Sequence, residues 1–343
     1  FRTAYLNLGR TAREYCASGG QAPPLVALTG TASKIVLKDV QRELGITDID
    51  AIITPKSFDR PELQFSVLTC KSSEKQNRIL GFLNRLPSDF ALSASGFFQV
   101  HGDSTQSGLI FCPHVNGEYG VVQNAQELSN FLGVPVSHYS GGAPRGFDRQ
   151  TWNTIRQDTA RRFKRNEVAL MACTNAYGMG IDKPNVRYTV HSGLPGSIES
   201  FYQEAGRAGR DRQIAECAIV MSNEFPQRTE KFLHPGNKPE DISRELDQVP
   251  WGEQDDISRA LWFHLRSFRG EQAEMDDLIR IAERLTPLDT QRFVELSAPR
   301  ASEQAADVTA DRTEKALHRL VVIGVVRDYT VDYRGNRSDF RVS

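Results

Sequence analysis

The 343-residue sequence has few cysteines and no long apolar stretch. Its five cysteines are widely scattered and form no C-x-x-C pair, which argues against a disulfide framework or a cysteine-rich zinc site. No apolar run approaches the ~18 residues that span a bilayer, and no signal-peptide pattern opens the chain. We therefore expect no bound zinc, no membrane partner and no secretion.

The net charge is also small and does not indicate a nucleic-acid partner. Lysine and arginine number 42 against 43 acidic residues, a net charge of −1. The charge is uneven along the chain, however. Residues 145–187 carry nine basic and four acidic side chains, whereas residues 223–300 carry 11 basic and 16 acidic ones. Any basic surface must therefore be local.

Short apolar runs alternate with helical patterns between residues 25 and 222. The runs are 25–28, 108–112, 168–173, 188–191 and 216–221. The helical patterns are 33–44, 122–132, 148–163 and 197–208. Buried strands that alternate with amphipathic helices predict an α/β fold with a parallel sheet. In such a sheet, ligands bind in the loops at the carboxyl ends of the strands.

The strongest local pattern is residues 203–211, Q-E-A-G-R-A-G-R-D. A helix that starts near residue 197 places Gln203, Arg207 and Arg210 on one face. Gly206 and Gly209 remove side chains beside the arginines, which lets a ligand or another domain approach. Since the planar guanidinium binds phosphate oxygens in pairs, the pattern favours an anion site over a solvated basic helix end.

Two weaker patterns follow predicted strands. Residues 174–184 directly follow the run 168–173 and contain Thr174, Asn175, Gly180 and Asp182. Their glycines permit tight turns that expose backbone amides to an anion, although an ordinary glycine-rich turn explains them equally well. Thr29 and Thr31 follow the run 25–28. Their hydroxyl groups suit either a relay of hydrogen bonds between two sites or the simple capping of a helix.

Taken together and in chain order, the three patterns resemble motifs III, V and VI of superfamily 2 helicases, and specifically of the RecQ family. Residues 57–63, S-F-D-R-P-E-L, resemble that family's SFDRPN segment between its two RecA-like lobes. Residues 108–112 resemble motif IV. Tyr139, Ser140 and Gly141 stand where the family has Tyr-His-Ala-Gly, so the histidine is replaced here.

The resemblance implies roles for these residues. Arg210 is the expected arginine finger in ATP hydrolysis, with Arg207 as its partner and Gln203 positioning the attacking water or the phosphate. Asp182 and Gly180 join the two arginines in binding the nucleotide. Thr29 and Thr31 couple nucleotide state to the DNA groove. Single-stranded DNA is held by its phosphates at Ser140, Gly141, Thr174 and Asn175.

The resemblance also exposes a gap in nucleotide binding. The dipeptides Gly-Lys and Asp-Glu never occur, so the chain has neither a Walker A loop nor a DExH box. Because these elements hold the phosphates and Mg²⁺, we expect no ATP hydrolysis by this chain without a first lobe. That lobe was either truncated or lies on another polypeptide. The alternatives are a non-catalytic DNA-binding or adaptor module and an RNA-directed motor.

The predicted organisation has four parts. Residues 1–56 are the end of a RecA-like first lobe and 57–222 a RecA-like second lobe. Residues 223–300 form an acidic helical region without zinc ligands, and 301–343 a winged-helix-like domain. Its hairpin presents Tyr333, Arg334 and Arg337 for junction duplex DNA or, alternatively, for protein contacts. A protein with these partners is expected in the cytoplasm or the nucleus.

Overall fold

The computed structural model describes residues 8–29, 34–48, 50–54, 57, 59–177, 182–267, 269–285, 293–300, 308–334 and 336–343. The helices are α1 (Leu8–Tyr15), α2 (Lys34–Leu44), α3 (Lys75–Asp89), α4 (Ala94–Phe97), α5 (Val121–Leu132), α6 (Arg149–Lys164), α7 (Ile198–Ala205), α8 (Pro226–Phe232), α9 (Pro239–Asp247), α10 (Asp256–Ser267), α11 (Glu271–Arg284) and α12 (Ala310–Val322). The strands are β1 (Leu63–Cys70), β2 (Ser107–Phe111), β3 (Val136–Tyr139), β4 (Leu170–Cys173), β5 (Val186–Ser192), β6 (Ala215–Ser222), β7 (Val294–Pro299), β8 (Tyr329–Arg334) and β9 (Arg337–Val342). None of these helices is both long and apolar enough to cross a membrane.

The chain divides into two compact units that differ from the predicted partition. One unit is formed by residues 54–265, and the other by residues 1–53 with 266–343. The predicted region 223–300 is thus split, with α8 and α9 in the first unit and α11 and β7 in the second. In the second unit, the hydroxyl of Tyr15 donates to Asp328, 313 residues away, at 2.9 Å. Contacts between such distant residues leave no trace in local composition.

The first unit is built on a six-stranded parallel sheet with the order β1-β6-β5-β2-β4-β3. All residues of the inner strands β2, β4 and β5 are buried, as expected for parallel strands covered on both faces. Helices α3 and α5 pack on one face, and α6 and α7 on the other. This doubly wound arrangement confirms the predicted α/β class and the RecA-like lobe.

The run 25–28 is not the buried strand that the sequence predicts. Val26 is 80% and Leu28 92% exposed, and the segment pairs with no strand among the described residues. A short apolar run predicts burial only where a neighbouring strand satisfies its backbone groups. The helix predicted after this run is present as α2.

The second unit holds a three-stranded antiparallel sheet, β7-β9-β8, beside α11 and α12. Leu317 and Leu320 of α12 and Phe340 of β9 form the centre of its core. Gly324 follows the end of α12 and has a φ of 78°, the left-handed conformation that glycine often adopts just after a helix terminus. A helix followed by a hairpin is consistent with the predicted winged-helix-like unit.

Candidate functional site

The predicted DNA-binding residues of the first unit lie together at the carboxyl edge of its sheet. Ser140 and Gly141 follow β3, and Thr174 and Asn175 follow the adjacent strand β4. The amide of Thr174 donates to the carbonyl of Tyr139 at 3.1 Å, which joins the two strand ends. The topology of a parallel sheet therefore gathers these four residues, although their role in binding stays a prediction.

The side chains at this edge differ in what they offer a ligand. The hydroxyl of Ser140 is buried and donates to the carbonyl of Gly142 at 2.6 Å. The indole of Trp152 donates to the Ser140 carbonyl at 3.1 Å, and Arg156 donates to the Gly141 carbonyl at 3.1 Å. Ser140 thus shapes the loop from within, whereas the side chain of Asn175 is exposed.

The predicted motif VI helix ends earlier than the sequence suggests. Helix α7 closes at Ala205, so Arg207 and Arg210 lie on a turn beyond it and not on one helical face with Gln203. We call residues 206–210 the arginine turn. The amides of Arg207 and Ala208 donate to carbonyls three residues back, at 3.2 and 2.9 Å. These bonds form a turn that is tighter than the α-helix before it.

The glycines of the arginine turn are explained by packing inside the chain. Gly209 has a φ of 61°, in the left-handed region that a side chain disfavours. A Cβ atom there lies 3.0 Å from Cγ of Glu62, and one on Gly206 lies 2.7 Å from the carbonyl oxygen of Tyr202. The expectation that these glycines clear space for a ligand is therefore replaced by a structural reason.

The arginine turn brings Arg210 to Asp182, and the nucleotide-binding role of this pair stays a prediction. Nη1 of Arg210 lies 3.1 Å from Oδ1 of Asp182, and 82% of the Asp182 side chain is exposed. The pair lies beside the amino end of β5, because the Gly209 amide donates to the Val186 carbonyl at 3.0 Å. Gly180, the other predicted nucleotide-binding residue of this loop, lies outside the described residues.

Arg207 occupies a different environment from Arg210. It is partly buried and lines a small cavity of about 10 Å³ with Phe163, Tyr177 and Lys183. Burial, and then the charge of Arg210, lowers the pKa of Arg207. Burial also lowers the pKa of Lys183 to about 8. Arg210 is therefore the more accessible of the two guanidinium groups, and Gln203 is exposed at the end of α7.

An ionic network that the sequence analysis did not identify surrounds the arginine turn. Arg60 and Arg212 both pair with Glu62, whose side chain is 5% exposed. On the opposite side, the nearly buried Arg187 pairs with Asp211. These residues lie in or beside segments that resemble helicase motifs. The sequence does not show that they pair, because partners such as Arg212 and Glu62 are 150 residues apart.

The hairpin residues of the second unit are already engaged within that unit. The hydroxyl of Tyr333 donates to Glu314 at 3.3 Å, and Nε of Arg334 donates to Asp332 at 2.7 Å. Arg337 donates to the hydroxyl oxygen of Ser297 at 3.0 Å. These contacts hold the hairpin's polar groups, and its DNA-binding role stays a prediction.

The remaining predicted sites concern coupling and metals. Thr29 is exposed in the second unit, and Thr31 lies outside the described residues, so their coupling role stays a prediction. In the described part of the chain, no group of three or more His, Cys, Asp or Glu residues is arranged to hold a metal ion.

Comparison with known proteins agrees with this architecture. Residues 95–212 match the family model of the helicase conserved C-terminal domain, which includes both the arginine turn and the carboxyl-edge residues. The ATP-dependent DNA helicase RecQ of Haemophilus influenzae is 32% identical over 248 residues, or 72% of this chain and 34% of that protein. A putative ATP-dependent RNA helicase of Acanthamoeba polyphaga mimivirus is 31% identical over 63% of this chain and 34% of its own length.

The similarity to solved structures is weaker. Domain 2 of the DEAD-box helicase Mss116p, solved with an RNA duplex, covers 60% of this chain at 16% identity and a TM-score of 0.38. The fold class therefore rests on the observed strand order and the family model.

A parallel sheet that carries the segments resembling motifs IV, V and VI, within a match to the helicase conserved C-terminal domain, defines the second RecA-like domain of a superfamily 2 helicase. Within that class, the sequence relatives show that the chain belongs to the RecQ family. The chain spans about a third of the length of the first of these relatives.

Proposed function

We propose that the chain supplies the second motor lobe of an ATP-dependent DNA helicase or translocase that moves 3′ to 5′. One observation carries the proposal: the arginine turn presents Arg210 beside Asp182, at 3.1 Å, on the sheet whose carboxyl edge gathers Thr174 and Asn175. Under this proposal, one sheet bears both a group that binds an anion and groups that bind a nucleic-acid backbone. Such a lobe links phosphate chemistry to movement along a strand.

The residues of this chain suit the phosphates of ATP. Arg210 is the proposed finger, since its planar guanidinium can exchange Asp182 for phosphate oxygens as negative charge develops. Arg207, partly buried behind it, adds positive charge, and Gln203 orients water or the phosphate. Asp182 holds Arg210 before the nucleotide arrives and contacts the ribose afterwards.

The same residues do not supply the protein ligands of Mg²⁺, which in such sites are the hydroxyl of a Walker A loop and a carboxylate of a Walker B segment. The sequence contains neither segment. We therefore assign this chain the finger side of the nucleotide site only. Hydrolysis requires a first lobe, which Thr29 and Thr31 are proposed to couple to the nucleic-acid groove.

Two partners are proposed on the nucleic-acid side. The loops after β3 and β4 hold single-stranded DNA by its phosphates, with Asn175 as the exposed side chain. The hairpin of β8 and β9 contacts duplex DNA at a junction through Tyr333, Arg334 and Arg337. The exposed basic end of α6, at Arg161, Arg162, Lys164 and Arg165, adds positive potential to the first unit.

A motor directed at RNA is the second candidate, because a putative RNA helicase is among the similar proteins. Backbone contacts alone do not separate DNA from RNA, which differ at the 2′-hydroxyl. A non-catalytic adaptor is the third.

Steady-state ATP hydrolysis by the complete protein, without nucleic acid and with single-stranded DNA or RNA of equal length, separates the candidates. We expect DNA to stimulate hydrolysis more than RNA does. Stronger stimulation by RNA supports the RNA motor, and tight DNA binding without hydrolysis supports the adaptor.

A further inference from the structure

We propose that Arg60 is a positioning residue that fixes the arginine turn by binding its backbone from outside the motif. The inference rests on the proposed function, since it assigns Arg60 an effect on the arginine finger that the turn carries. Arg60 lies in the segment that leads into β1, far from Arg207 and Arg210 in sequence.

The guanidinium of Arg60 hydrogen-bonds to the middle of the turn. Its Nη2 atom donates to the carbonyl oxygens of Ala208 at 3.0 Å and Gly209 at 3.2 Å. These carbonyls lie between the two functional arginines. A rotation of the peptide units that bear them reorients Arg210, so two hydrogen bonds to consecutive carbonyls restrict the turn where that matters.

Glu62 aims Arg60 at those carbonyls. Its carboxylate accepts from Nε of Arg60, which leaves the Nη2 group directed at the turn. Burial alone raises the pKa of Glu62, but the hydrogen bond and charge of Arg60, with the charge of Arg212, hold it below its ordinary value. Glu62 therefore stays ionised at neutral pH.

The turn is also held from its other side. The Gly209 amide donates to the Val186 carbonyl at 3.0 Å, and Arg187 pairs with Asp211 just beyond the turn. Arg60 thus completes a clamp in which one side comes from motif V and the other from the segment before β1. The planar, fixed fork of arginine suits this task, whereas the three donors of a lysine ammonium rotate about one nitrogen atom and form no such fork.

A simpler role for Arg60 is to neutralise the buried charge of Glu62, and the two roles predict different results. If neutralisation is its only role, combining Arg60→Gln with Glu62→Gln removes the uncompensated buried charge, and activity is restored. If Arg60 positions the turn, the double variant stays impaired, because the carbonyls of Ala208 and Gly209 still lose their donor.

The test measures kcat and KM for ATP in the complete protein with single-stranded DNA. Arg212→Gln is the matched control, since Arg212 also pairs with Glu62, at 3.2 Å, and its side chain is 72% exposed. We expect Arg60→Gln and the double variant to lose about tenfold or more in kcat, since small misplacements of a reacting group are costly, with KM within about twofold. Arg212→Gln keeps the wild-type kcat, and Arg60→Lys, which retains the charge, falls between.

Hydrogen exchange of the Gly209 amide is read on the same proteins and does not depend on catalysis. Faster exchange in Arg60→Gln, with unchanged exchange in the buried strand β4, supports the clamp. A wild-type kcat in the double variant, or unchanged kcat and exchange in Arg60→Gln, overturns it. Absence of hydrolysis by the wild type overturns the proposed function and the catalytic effect of Arg60 with it, while the exchange result still shows whether the clamp exists.

Discussion

At the scale of single residues, the structure separates side chains that the sequence presents as equivalents. Arg207 and Arg210 are both preceded by a glycine and look alike in the motif, yet one is partly buried and the other pairs with an exposed carboxylate. Residue identity predicts anion binding for both arginines alike. It did not predict which arginine is accessible, because accessibility depends on where the helix ends.

A residue-scale prediction concerns the proposed DNA-binding edge. Asn175→Ala removes an exposed amide that we expect to bond a phosphate oxygen. Binding of single-stranded DNA should weaken by about 1 kcal/mol, roughly fivefold, in a fluorescence anisotropy titration of the chain. Asn130→Ala is the control, because Asn130 is exposed near the end of α5, and that helix runs back toward the opposite edge of the sheet. Equal affinities of the two variants remove Asn175 from the interface.

At the scale of elements, inner strands were predictable and edge strands were not. Strands β2, β4, β5 and β6 match apolar runs in the sequence, because both of their faces are covered. Strand β1 was missed, since it lies at the sheet edge and leaves Phe65 50% and Val67 60% exposed. Strand β3, at the other edge, has only four residues and none of them is fully buried.

The large aromatic residues of the helical region are also less buried than their type suggests. Trp251 is 49% and Phe263 60% exposed. Aromatic content indicates burial only on average, and a short helix has too little surface to bury every large ring.

An element-scale prediction concerns the buried ion pair that joins α3 to α10. Nζ of Lys75 lies 2.7 Å from Oδ2 of Asp256, and both side chains are less than one-tenth exposed. Asp256→Ala leaves a buried ammonium without its counter-charge and should lower the free energy of unfolding by about 3–5 kcal/mol. Chemical denaturation monitored by circular dichroism measures the change.

The matched control is an exposed pair of similar length, Lys231 with Glu245 at 2.8 Å. Glu245→Ala should cost less than about 1 kcal/mol, because water already solvates both charges. A loss for Asp256→Ala as small as that of the control contradicts the anchoring role.

A second element-scale prediction concerns pH and the junction of α11 with α12. Burial raises the pKa of Asp277, but bonds and charges from Arg312 and Arg269 outweigh it and leave the pKa below its ordinary value of about 3.9. A lowered carboxyl pKa stabilises the folded state above the unfolded-state value, and that stabilisation is lost as pH falls through the folded value.

Asp277→Asn should therefore destabilise the protein by about 2 kcal/mol at pH 7. The difference from wild type should shrink as the pH falls below about 4, in denaturation curves recorded from pH 7 to pH 2. A difference that is constant over this range shows that Asp277 contributes nothing through its charge.

At the scale of the whole molecule, the sequence predicted the family and the parallel sheet but not how the chain divides. Each motif is a continuous stretch of sequence, so the resemblance to the RecQ family was visible in the sequence, and the relatives confirm it. The grouping of residues 1–53 with 266–343 depends on contacts between the ends of the chain, such as Tyr15 with Asp328. The clamp around the arginine turn was hidden for the same reason.

We propose that this lobe contributes an arginine finger to ATP hydrolysis that is coupled to DNA. The most direct measurement is the DNA-stimulated ATPase rate of the complete protein with Arg210→Ala. We predict that kcat falls by about a thousandfold, while binding of single-stranded DNA stays within about twofold of wild type. An unchanged rate of hydrolysis in this variant contradicts the claim.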